Sequence, residues 1–366
     1  MQQAERGVFD IRRGHPVHIR SPEGGVLTAP VEGLDATALD RLRQLTDETP
    51  RLVLTSHRAR SSGLAPDCEA SVSLPLDGQL SIEAIAGLCS GTDGAPGGLD
   101  DAGVRHADPL EQAALALVRA GRLIPAALVA ATRPGAELAA LIADGTILSV
   151  PAEQAAELAS RPRLQVMYAS EATVPLAGAE HSRFMLFREA NGILEHIAVL
   201  IGEPGTWPDP VPARLHSACL TGDLFGSLRC DCGEQLRASV RGIAEAGGGV
   251  LLYLAQEGRG IGLANKLRAY QLQDQGMDTL DADCSLGFGA DERRYEAAVE
   301  MLHHLEISRV RLFTNNPEKI RGLEAGGISV PLRESLHGKL NPHNRRYLST
   351  KADRAGHWLQ ELLGKA

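Results

Sequence analysis

In the second half of the chain, short apolar runs alternate with amphipathic segments. Val250–Leu254 is a continuous apolar run, as expected of a strand that is covered on both faces, and Val310–Phe313 predicts another strand. Leu263–Gln275 predicts a helix that is closed by the glycine after it. A later helix is predicted to begin with Asn316 as its cap and Pro317 as its first residue. This alternation predicts an α/β sheet.

The first half is rich in alanine, leucine and glycine, and its apolar positions also predict both strands and helices. Arg51–Thr55 reads as a buried strand, and Asp108–Arg119 as a helix with Asp108 as its cap. Gly91–Gly98 has the composition of a loop. A helical stretch, Glu153–Ala159, leads to Arg161–Arg163, and we place a domain boundary just beyond it.

The predicted fold is therefore two α/β domains, residues 1–168 and 169–366, the second a mixed sheet flanked by helices. The 366 residues are enough for two domains that each bury their own core. The net charge of −9 argues against a general binder of nucleic acid or of membrane surfaces. No apolar run is long enough to span a bilayer, and the first residues lack the apolar core of a signal peptide. A cytoplasmic location is the expectation.

Three of the six cysteines lie within fourteen residues, at Cys219, Cys230 and Cys232. In a reducing compartment, clustered cysteines indicate metal ligands or catalysts rather than disulfides. If Cys230–Cys232 is extended, its two sulfurs point to one side and can meet one ion. Three thiolates favour zinc. Spacing alone leaves two alternatives open, a closed structural site with His216 as fourth ligand and a catalytic site that keeps the fourth position for water.

The sequence around these cysteines resembles the GTP cyclohydrolase II family. The resemblance runs from about residue 170 to the end, and five blocks in this order are highly specific. The blocks are Arg214–Asp223, Gly226–Gly233, Gln256–Leu263, Gly287–Arg293 and Leu312–Lys319, followed by Tyr347–Ala352. The resemblance implies a homodimer with one catalytic zinc per subunit, held by the three cysteines. It implies opening of the guanine imidazole ring of GTP, with release of formate and pyrophosphate, in riboflavin biosynthesis.

The resemblance also implies the residues of the site. Tyr270, Asp291 and Arg293 take catalytic positions. The positions that contact GTP are Arg214, Leu215, His216, Ser217, Ala218, Gln235, Glu257, Gly258, Arg259, Thr279, Thr314 and Lys319. Magnesium is expected with the triphosphate, and Glu257 is expected to accept the N1–H and 2-amino donors of guanine. Ala218 stands where many family members carry glutamate, which puts a side-chain role there in doubt.

Two interpretations of Arg293 stay open. The family proposal has Arg293 attack the α-phosphorus with Asp291 as its base. The pKa of arginine lies above roughly 12, so a neutral, nucleophilic guanidine is chemically unusual. Electrostatic stabilisation of the departing pyrophosphate is the more conservative role.

The first half faintly resembles 3,4-dihydroxy-2-butanone 4-phosphate synthase, through Ile11–Val17, Leu52–Thr55 and Arg119–Arg122. That family needs a dense acidic cluster for magnesium, but Ile19–Thr28 contains Glu23 as its single acid, and Arg122 stands where the family has histidine. We therefore expect a degenerate, inactive domain. Two other classes remain: a bifunctional enzyme with both activities, and a non-catalytic, zinc-stabilised nucleotide-binding regulator.

Overall fold

The computed structural model describes residues 2–46, 48–65, 67–76, 81–91, 103–133, 135–159, 164–354 and 356–364. The segment Arg161–Arg163, just before the predicted boundary, lies outside these residues, as does the predicted loop after Gly91. Two compact units form: unit 1 contains residues 1–162 and 264–290, and unit 2 contains residues 163–263 and 291–366. The segment 264–290 thus packs with the first half, although its sequence belongs to the second predicted domain.

Among the described residues, unit 1 contains one seven-stranded mixed sheet with strand order β5-β4-β3-β6-β2-β1-β7. Its strands are β1 (Val17–Ser21), β2 (Gly24–Pro30), β3 (Arg51–Leu54), β4 (Val72–Pro75), β5 (Arg105–His106), β6 (Ala126–Ala131) and β7 (Leu148–Pro151). The helices of the first half are α1 (Gln2–Arg12), α2 (Ala36–Gln44), α3 (Ser56–Ser61), α4 (Ile82–Ser90), α5 (Pro109–Ala120), α6 (Ala136–Ala143) and α7 (Ala152–Ala159). Leu42 of α2 and Leu88 of α4 pack with Leu52 and Leu54 of β3 in its core.

Unit 2 contains a second seven-stranded sheet in the described part of the chain, with order β14-β13-β11-β12-β10-β9-β8. Its strands are β8 (Val166–Thr173), β9 (Ser182–Glu189), β10 (Glu195–Ile201), β11 (Val211–Ser217), β12 (Gly249–Leu254), β13 (Arg309–Phe313) and β14 (Ser329–Glu334). The remaining helices are α8 (Leu220–Asp223), α9 (Cys232–Glu245), α10 (Leu263–Asp274), α11 (Thr279–Ser285), α12 (Glu296–His304), α13 (Pro317–Ala325), α14 (Arg345–Asp353) and α15 (Gln360–Gly364). The prediction of two α/β halves, the second with a mixed sheet, is confirmed.

The two faces of the unit 2 sheet carry different helices. Met301 and Leu302 of α12 pack with Leu215 and Leu252 of the sheet. On the other side, Ile243 of α9 packs with apolar residues of β10, β12 and β13. Both faces of the central strands are therefore covered, which explains their continuous apolar runs. Among the described residues, none of the helices is long and apolar enough to cross a bilayer.

Several local predictions agree with the structure because they rest on short-range geometry. Asp108 caps α5 through a complete capping box with Glu111. Asn316 caps α13, and Pro317 is its first residue. The predicted helix from Leu263 ends one residue earlier than expected, at Asp274.

Candidate functional site

The candidate residues of unit 2 follow the carboxyl ends of three neighbouring strands. β12 and β13 lie on opposite sides of β11 and are both parallel to it, while the chain runs from β11 to β12 and only later to β13. The strand order therefore reverses between β11 and β13. In open α/β sheets, ligands bind in the crevice outside the carboxyl ends of the strands at such a reversal.

The three predicted cysteine ligands come together just beyond β11. Their sulfur atoms all lie within 4.8 Å of one another, and the Sγ atoms of Cys219 and Cys230 are 3.7 Å apart. Cys219 precedes the short helix α8, and Cys232 is the first residue of α9. The condition of an extended Cys230–Cys232 pair is not met, because Asp231 between them has the backbone angles of a helix-cap turn, φ −106° and ψ 12°. The turn nevertheless brings both sulfurs to the same point.

Two glycines allow the backbone to approach the thiols closely. A Cβ at Gly222 would lie 2.7 Å from the Sγ of Cys230 and 3.1 Å from the Sγ of Cys219. A Cβ at Gly233 would lie 2.1 Å from the carbonyl oxygen of Gly222. Any larger residue would push α8 away from α9 and separate the sulfurs.

The thiol cluster fits a zinc ion. A tetrahedral zinc with Zn–S distances of about 2.3 Å separates its sulfurs by about 3.8 Å, close to the 3.7 Å between Cys219 and Cys230. The neighbouring Cys219 thiol raises the pKa of Cys230 to about 11 and also raises the pKa of Cys232. Three thiols this close resist ionisation without a cation, so the donor set suits a metal that neutralises thiolates.

His216 does not join the three sulfurs. Its Nε2 lies 3.1 Å from both carboxylate oxygens of Asp223, and its ring stacks on Tyr253 with the centroids 5.5 Å apart. Burial lowers the pKa of His216, although Asp223 opposes that shift. Its Nε2 is thus held by a carboxylate, and neither ring nitrogen belongs to the group of three sulfurs.

Asp223 is a residue that the sequence analysis did not single out. Besides His216, it accepts hydrogen bonds from the backbone N–H of Cys219 (2.9 Å) and from the hydroxyl of Tyr253 (2.9 Å). These bonds fix Cys219 relative to the end of β12. The spacing could have indicated it, because an acid four residues after a ligand returns to the same side of a helical turn.

A hydrogen-bonded chain links β13 to the turn between the cysteines. Arg214 donates to the carbonyl oxygen of Phe313 (2.7 Å) and to Oε1 of Gln235 (2.6 Å). Gln235 in turn donates to Oδ2 of Asp231 (2.5 Å). Burial lowers the pKa of Arg214 to about 10. The buried Nε of Arg214, Nδ1 of His216 and Oδ1 of Asp231 have no hydrogen-bond partner.

Lys319 of α13 is buried, and its Nζ donates to the carbonyl oxygen of Leu215 (2.7 Å). Burial, reinforced by Arg214, Arg293 and Lys351, lowers the pKa of Lys319 well below its ordinary value. Thr314 is also buried, and its hydroxyl accepts from the backbone N–H of Asn316 (3.0 Å). The start of α13 therefore places a buried amine near other basic side chains, an arrangement that suits a polyanion.

Asp291 and Arg293 form a bidentate ion pair. Nε of Arg293 donates to both carboxylate oxygens of Asp291 at 2.8 and 3.0 Å, and Nη2 donates to Oδ2. Burial opposes ionisation of Asp291, but the hydrogen bonds from Arg293 outweigh it and lower the pKa. Burial also disfavours the charged form of Arg293, yet Tyr295 and Asp291 raise its pKa above the ordinary value. Both side chains are held in their charged forms.

The turn after β12 carries Glu257, Gly258 and Arg259. Glu257 accepts from the backbone N–H of Leu220 (2.6 Å) and of Gly258 (2.9 Å). Gly258 and Arg259 have positive φ angles of 61° and 59°, and the carbonyl oxygen of Arg259 accepts from the N–H of Glu292 (3.1 Å). At the end of β11, the hydroxyl of Ser217 accepts from Gln256 (3.1 Å), and Ala218 donates its N–H to Leu254 (2.8 Å).

Lys351 and His357 near the end of the chain were also missed. The Nζ of Lys351 lies 3.9 Å from Oδ1 of Asp231 and 4.2 Å from the ring centroid of Tyr347. Burial and the nearby cations Lys351, Arg293 and Lys319 lower the pKa of His357 to about 2. Lys351 lies within Tyr347–Ala352, one of the stretches that resemble the family, and this resemblance could have indicated it as a site residue.

Two of the predicted site residues belong to unit 1 rather than unit 2. Tyr270 lies on α10, with the Nζ of Lys266 at 5.7 Å from its ring centroid. Thr279 is the first residue of α11. Their roles at the site stay predictions.

The family model described as GTP cyclohydrolase II matches residues 167–335. A GTP cyclohydrolase-2 from Azospirillum brasilense is 44% identical over 362 residues, covering 98% of this chain and 94% of that protein. One from Xylella fastidiosa strain Temecula1 is 39% identical, covering 97% and 87%. One from Pseudomonas aeruginosa strain LESB58 is 50% identical over 199 residues, covering 54% and 96%.

Among solved structures, a two-domain 3,4-dihydroxy-2-butanone 4-phosphate synthase from A. baumannii is 14% identical, with a TM-score of 0.33. That match covers 92% of this chain and 99% of the other. A cation-free 3,4-dihydroxy-2-butanone 4-phosphate synthase is 12% identical, with a TM-score of 0.33, and covers 43% and 96%. Similarity at this level supports no conclusion about this chain.

Proposed function

Because the chain belongs to the GTP cyclohydrolase II family, we propose that it hydrolyses GTP in riboflavin biosynthesis. The products are formate, pyrophosphate and 2,5-diamino-6-(5-phosphoribosylamino)pyrimidin-4(3H)-one, which makes the chain a hydrolase of cyclic amidine C–N bonds. The observation that carries the proposal is a three-thiol cluster at the carboxyl edge of β11, beside a group of buried cations. Ring opening and triphosphate binding need these two features together.

Cys219, Cys230 and Cys232 would hold one zinc per subunit. When bound, zinc lowers the pKa of a water ligand and so supplies the nucleophile for attack at C8 of guanine. Neither ring nitrogen of His216 belongs to the group of three sulfurs, and Asp223 holds its Nε2, which supports a fourth position open to water rather than a closed structural site. Asp223 also fixes Cys219 by accepting its backbone N–H. The chain's own role at C8 is to orient the thiolates and to deliver a proton, for which Tyr270 is the proposed acid.

Glu257 is proposed to select guanine. Its two carboxylate oxygens each accept one backbone N–H, and a carboxylate has about four acceptor sites. A carboxylate is the acceptor that the N1–H and 2-amino donors of guanine, which adenine lacks, call for. The backbone bonds fix the carboxylate before the substrate arrives. Leu215 to Ala218, Gly258 and Thr279 are proposed as further nucleotide contacts, with Ala218 limited to its backbone.

The triphosphate is proposed to bind the cations around β11 and β13, together with magnesium. Arg214, Arg259, Arg293 and Lys319 supply positive charge, and Gln235 and Thr314 supply polar contacts. The unpartnered Nε of Arg214 offers a donor that is already desolvated. Hydrogen bonds between charged groups are strongest in such water-excluded places.

The ion pair supports an electrostatic role for Arg293. An attacking guanidine would have to lose its proton, yet Tyr295 and Asp291 raise the pKa of Arg293. A guanidinium that Asp291 orients can stabilise the charge that develops on the departing pyrophosphate. We therefore propose that Arg293 stabilises the leaving group and that Asp291 positions it.

The remaining proposals concern the protein as a whole. We propose a homodimer in the cytoplasm, with residues 1–168 as a degenerate, inactive domain and residues 169–366 as the catalytic domain. All six cysteines are free thiols, which suits a reducing compartment. The lack of an acidic cluster around Glu23 is the reason to prefer one activity to two.

The direct test is a product assay. Purified, zinc-loaded protein is given GTP and magnesium, and formate, pyrophosphate and the pyrimidine chromophore are measured. All three should appear, and ATP should give none because it lacks the donors that Glu257 accepts. Folded, zinc-loaded protein that releases no formate from GTP would refute the proposed function.

A second experiment separates the catalytic site from a zinc-stabilised regulator. His216→Ala should keep its bound zinc, because Asp223 rather than the thiol cluster holds the imidazole. Chelation should abolish formate release and leave the far-UV circular dichroism largely unchanged. Loss of zinc from His216→Ala in step with unfolding would support the closed structural site instead.

A further inference from the structure

The segment 264–290 packs within unit 1 although its sequence continues from the turn after β12. It comprises nearly all of α10 and the whole of α11, and it carries Tyr270 and Thr279. Two sets of polar contacts, one near each end, attach this segment to residues of the first half of the chain. Both sets lie inside unit 1.

The first attachment is an ion pair at α10. Nη2 of Arg268 lies 3.0 Å from Oε1 of Glu32, and Oε2 of Glu32 also accepts the backbone N–H of Ile124 (2.9 Å). Asn265, which is fully buried, donates to the carbonyl oxygen of Arg122 (2.9 Å). The first turns of α10 are thus fixed on the loop that precedes β6.

The second attachment holds the chain just after α11. Arg58 of α3 is buried, and its Nη1 donates to the carbonyl oxygen of Ser285 (3.0 Å), while its Nε donates to the carbonyl oxygen of Leu88 (2.5 Å). Thr55, the cap of α3, donates its hydroxyl to the carbonyl oxygen of Gly287 (2.7 Å). Burying a guanidinium against neutral acceptors costs free energy, and removing either donor would leave a buried carbonyl unpaired.

The backbone around Gly287 leaves no room for movement toward α3. Gly287 has a positive φ of 92°, and a Cβ there would lie 2.9 Å from Cγ of Pro125 and 3.0 Å from Oγ1 of Thr55. Four residues later the chain reaches Asp291, the partner of Arg293. Attachment at Ser285 and Gly287 therefore restrains the end of the segment that carries Tyr270 and Thr279.

We propose that the degenerate first half is a positioning element for the proposed cyclohydrolase, in which Thr55 and Arg58 hold residues 285–287 and thereby the segment with Tyr270 and Thr279. This inference rests on the proposed function. It gives the first half a role that needs no chemistry of its own. Thr55 and Arg58 are positioning residues that act through the attached segment, and they contact neither substrate nor metal.

The test uses the full-length protein and matched variants. Thr55→Val removes the donor to Gly287 with little change in volume, and Thr55→Ser restores a hydroxyl. Thr55 also caps α3 by accepting the N–H of Arg58 (3.3 Å), so a control for lost capping is needed. Ser81→Ala provides it, because Ser81 caps α4 by accepting the N–H of Ala84 (3.2 Å). Arg58→Met is the second variant at the attachment.

We expect kcat for formate release to fall about tenfold in Thr55→Val and Arg58→Met, since misplacing a catalytic group is costly even from a distance. Zinc content should be unchanged, and Thr55→Ser should regain most of the activity. Hydrogen exchange at the amides of Gly287 and Phe288, which donate to Cys284 and Asp283, should accelerate in Thr55→Val and Arg58→Met but not in Ser81→Ala.

Equal loss of activity in Thr55→Val and Ser81→Ala would show only general destabilisation and would overturn the proposal. So would unchanged exchange at Gly287 and Phe288 in both attachment variants. If the wild-type protein releases no formate from GTP, the proposed function fails by itself. The exchange comparison then decides whether the first half holds the segment.

Discussion

The two units each contain a seven-stranded sheet, but they differ in how completely their buried polar side chains are hydrogen-bonded. In unit 1, the buried Glu111 receives two hydrogen bonds from Arg105, each 2.8 Å, and one from Ser73 (2.7 Å). Ser73 accepts in turn from Arg51 (2.7 Å). In the described part of unit 2, the buried side-chain atoms without a hydrogen-bond partner lie on Arg214, His216 and Asp231, at or next to the thiol cluster.

An unpartnered buried polar atom costs about 1–3 kcal/mol, so a protein keeps several in one place only where a ligand can use them. Among the described residues, unit 1 has such an atom at the amide Oε1 of Gln154, far along the chain from the buried Glu111. Buried polar side chains that all hydrogen-bond with one another are typical of a scaffold. Buried polar side chains that lack hydrogen-bond partners are typical of a binding site. The comparison suggests which unit does chemistry without any reference to sequence motifs.

The largest effect should come from the thiol cluster. Cys219→Ser should lower formate release by about 10³-fold, the upper end of the effect of losing one catalytic stabiliser, because zinc serves attack at C8. Some pyrophosphate release should remain, since phosphoryl chemistry depends more on positioning and cations. Cys68→Ser in unit 1 is the matched control and should keep full activity. Equal losses in both variants would remove the distinction between the units.

The ion pair should give the next largest effect. Arg293→Ala should reduce pyrophosphate release about 10²-fold, and formate release as well if a phosphate-linked intermediate must form before the ring opens. Ring-opened triphosphate accumulating from this variant would show that hydrolysis at C8 comes first. Arg294→Ala, whose side chain pairs with Glu296 at 3.0 Å, is the control. Normal release of both products by Arg293→Ala would exclude a catalytic role.

A variant of Lys319 should show that this buried lysine lowers the stability of the free protein while it serves the binding of GTP. Lys319→Met should raise KM for GTP about tenfold, equivalent to about 1.4 kcal/mol, and should raise the melting temperature of the free protein. Because burial lowers the pKa of Lys319, the charged ammonium opposes folding most at low pH, and the penalty fades as pH rises toward the ordinary lysine pKa. The gain in melting temperature should therefore be larger near about pH 6 than near about pH 9.

The exposed Lys339 supplies the control for that experiment. Lys339→Met should change neither KM nor the pH dependence of melting. A gain in melting temperature for Lys319→Met that grows with pH would contradict the assignment of a desolvated, charged lysine.

The smallest expected signal tests unit 1 directly. Given ribulose 5-phosphate and magnesium, the protein should release no formate above background, because Glu23 is alone where the synthase family needs an acidic cluster. The same sample given GTP verifies that it is active. Robust turnover of ribulose 5-phosphate would make the chain bifunctional and would end the contrast between a scaffold and a catalytic unit.

Local sequence rules were sufficient for several elements and for the grouping of the three cysteines. The caps Asp108 and Asn316, the apolar run of β12 and the grouping of three cysteines depend on residues near one another in the chain, and all agree with the structure. The extended conformation considered for Cys230–Cys232 is absent, since Asp231 has φ −106° and ψ 12°. How closely two short segments approach each other cannot be derived from the sequence of either segment alone.

The sequence by itself determined two α/β halves, a thiol cluster and the family to which they point. Only the tertiary structure decided that Asp223 holds His216, that Lys351 approaches Asp231 from more than a hundred residues away, and that residues 264–290 pack with the first half. The physical reason is that helix caps and apolar periodicity are short-range effects, whereas the burial of a charge depends on every element packed around it. Hydrogen bonds between strands that are distant in the sequence also depend on the tertiary structure, because they form only when the chain has folded.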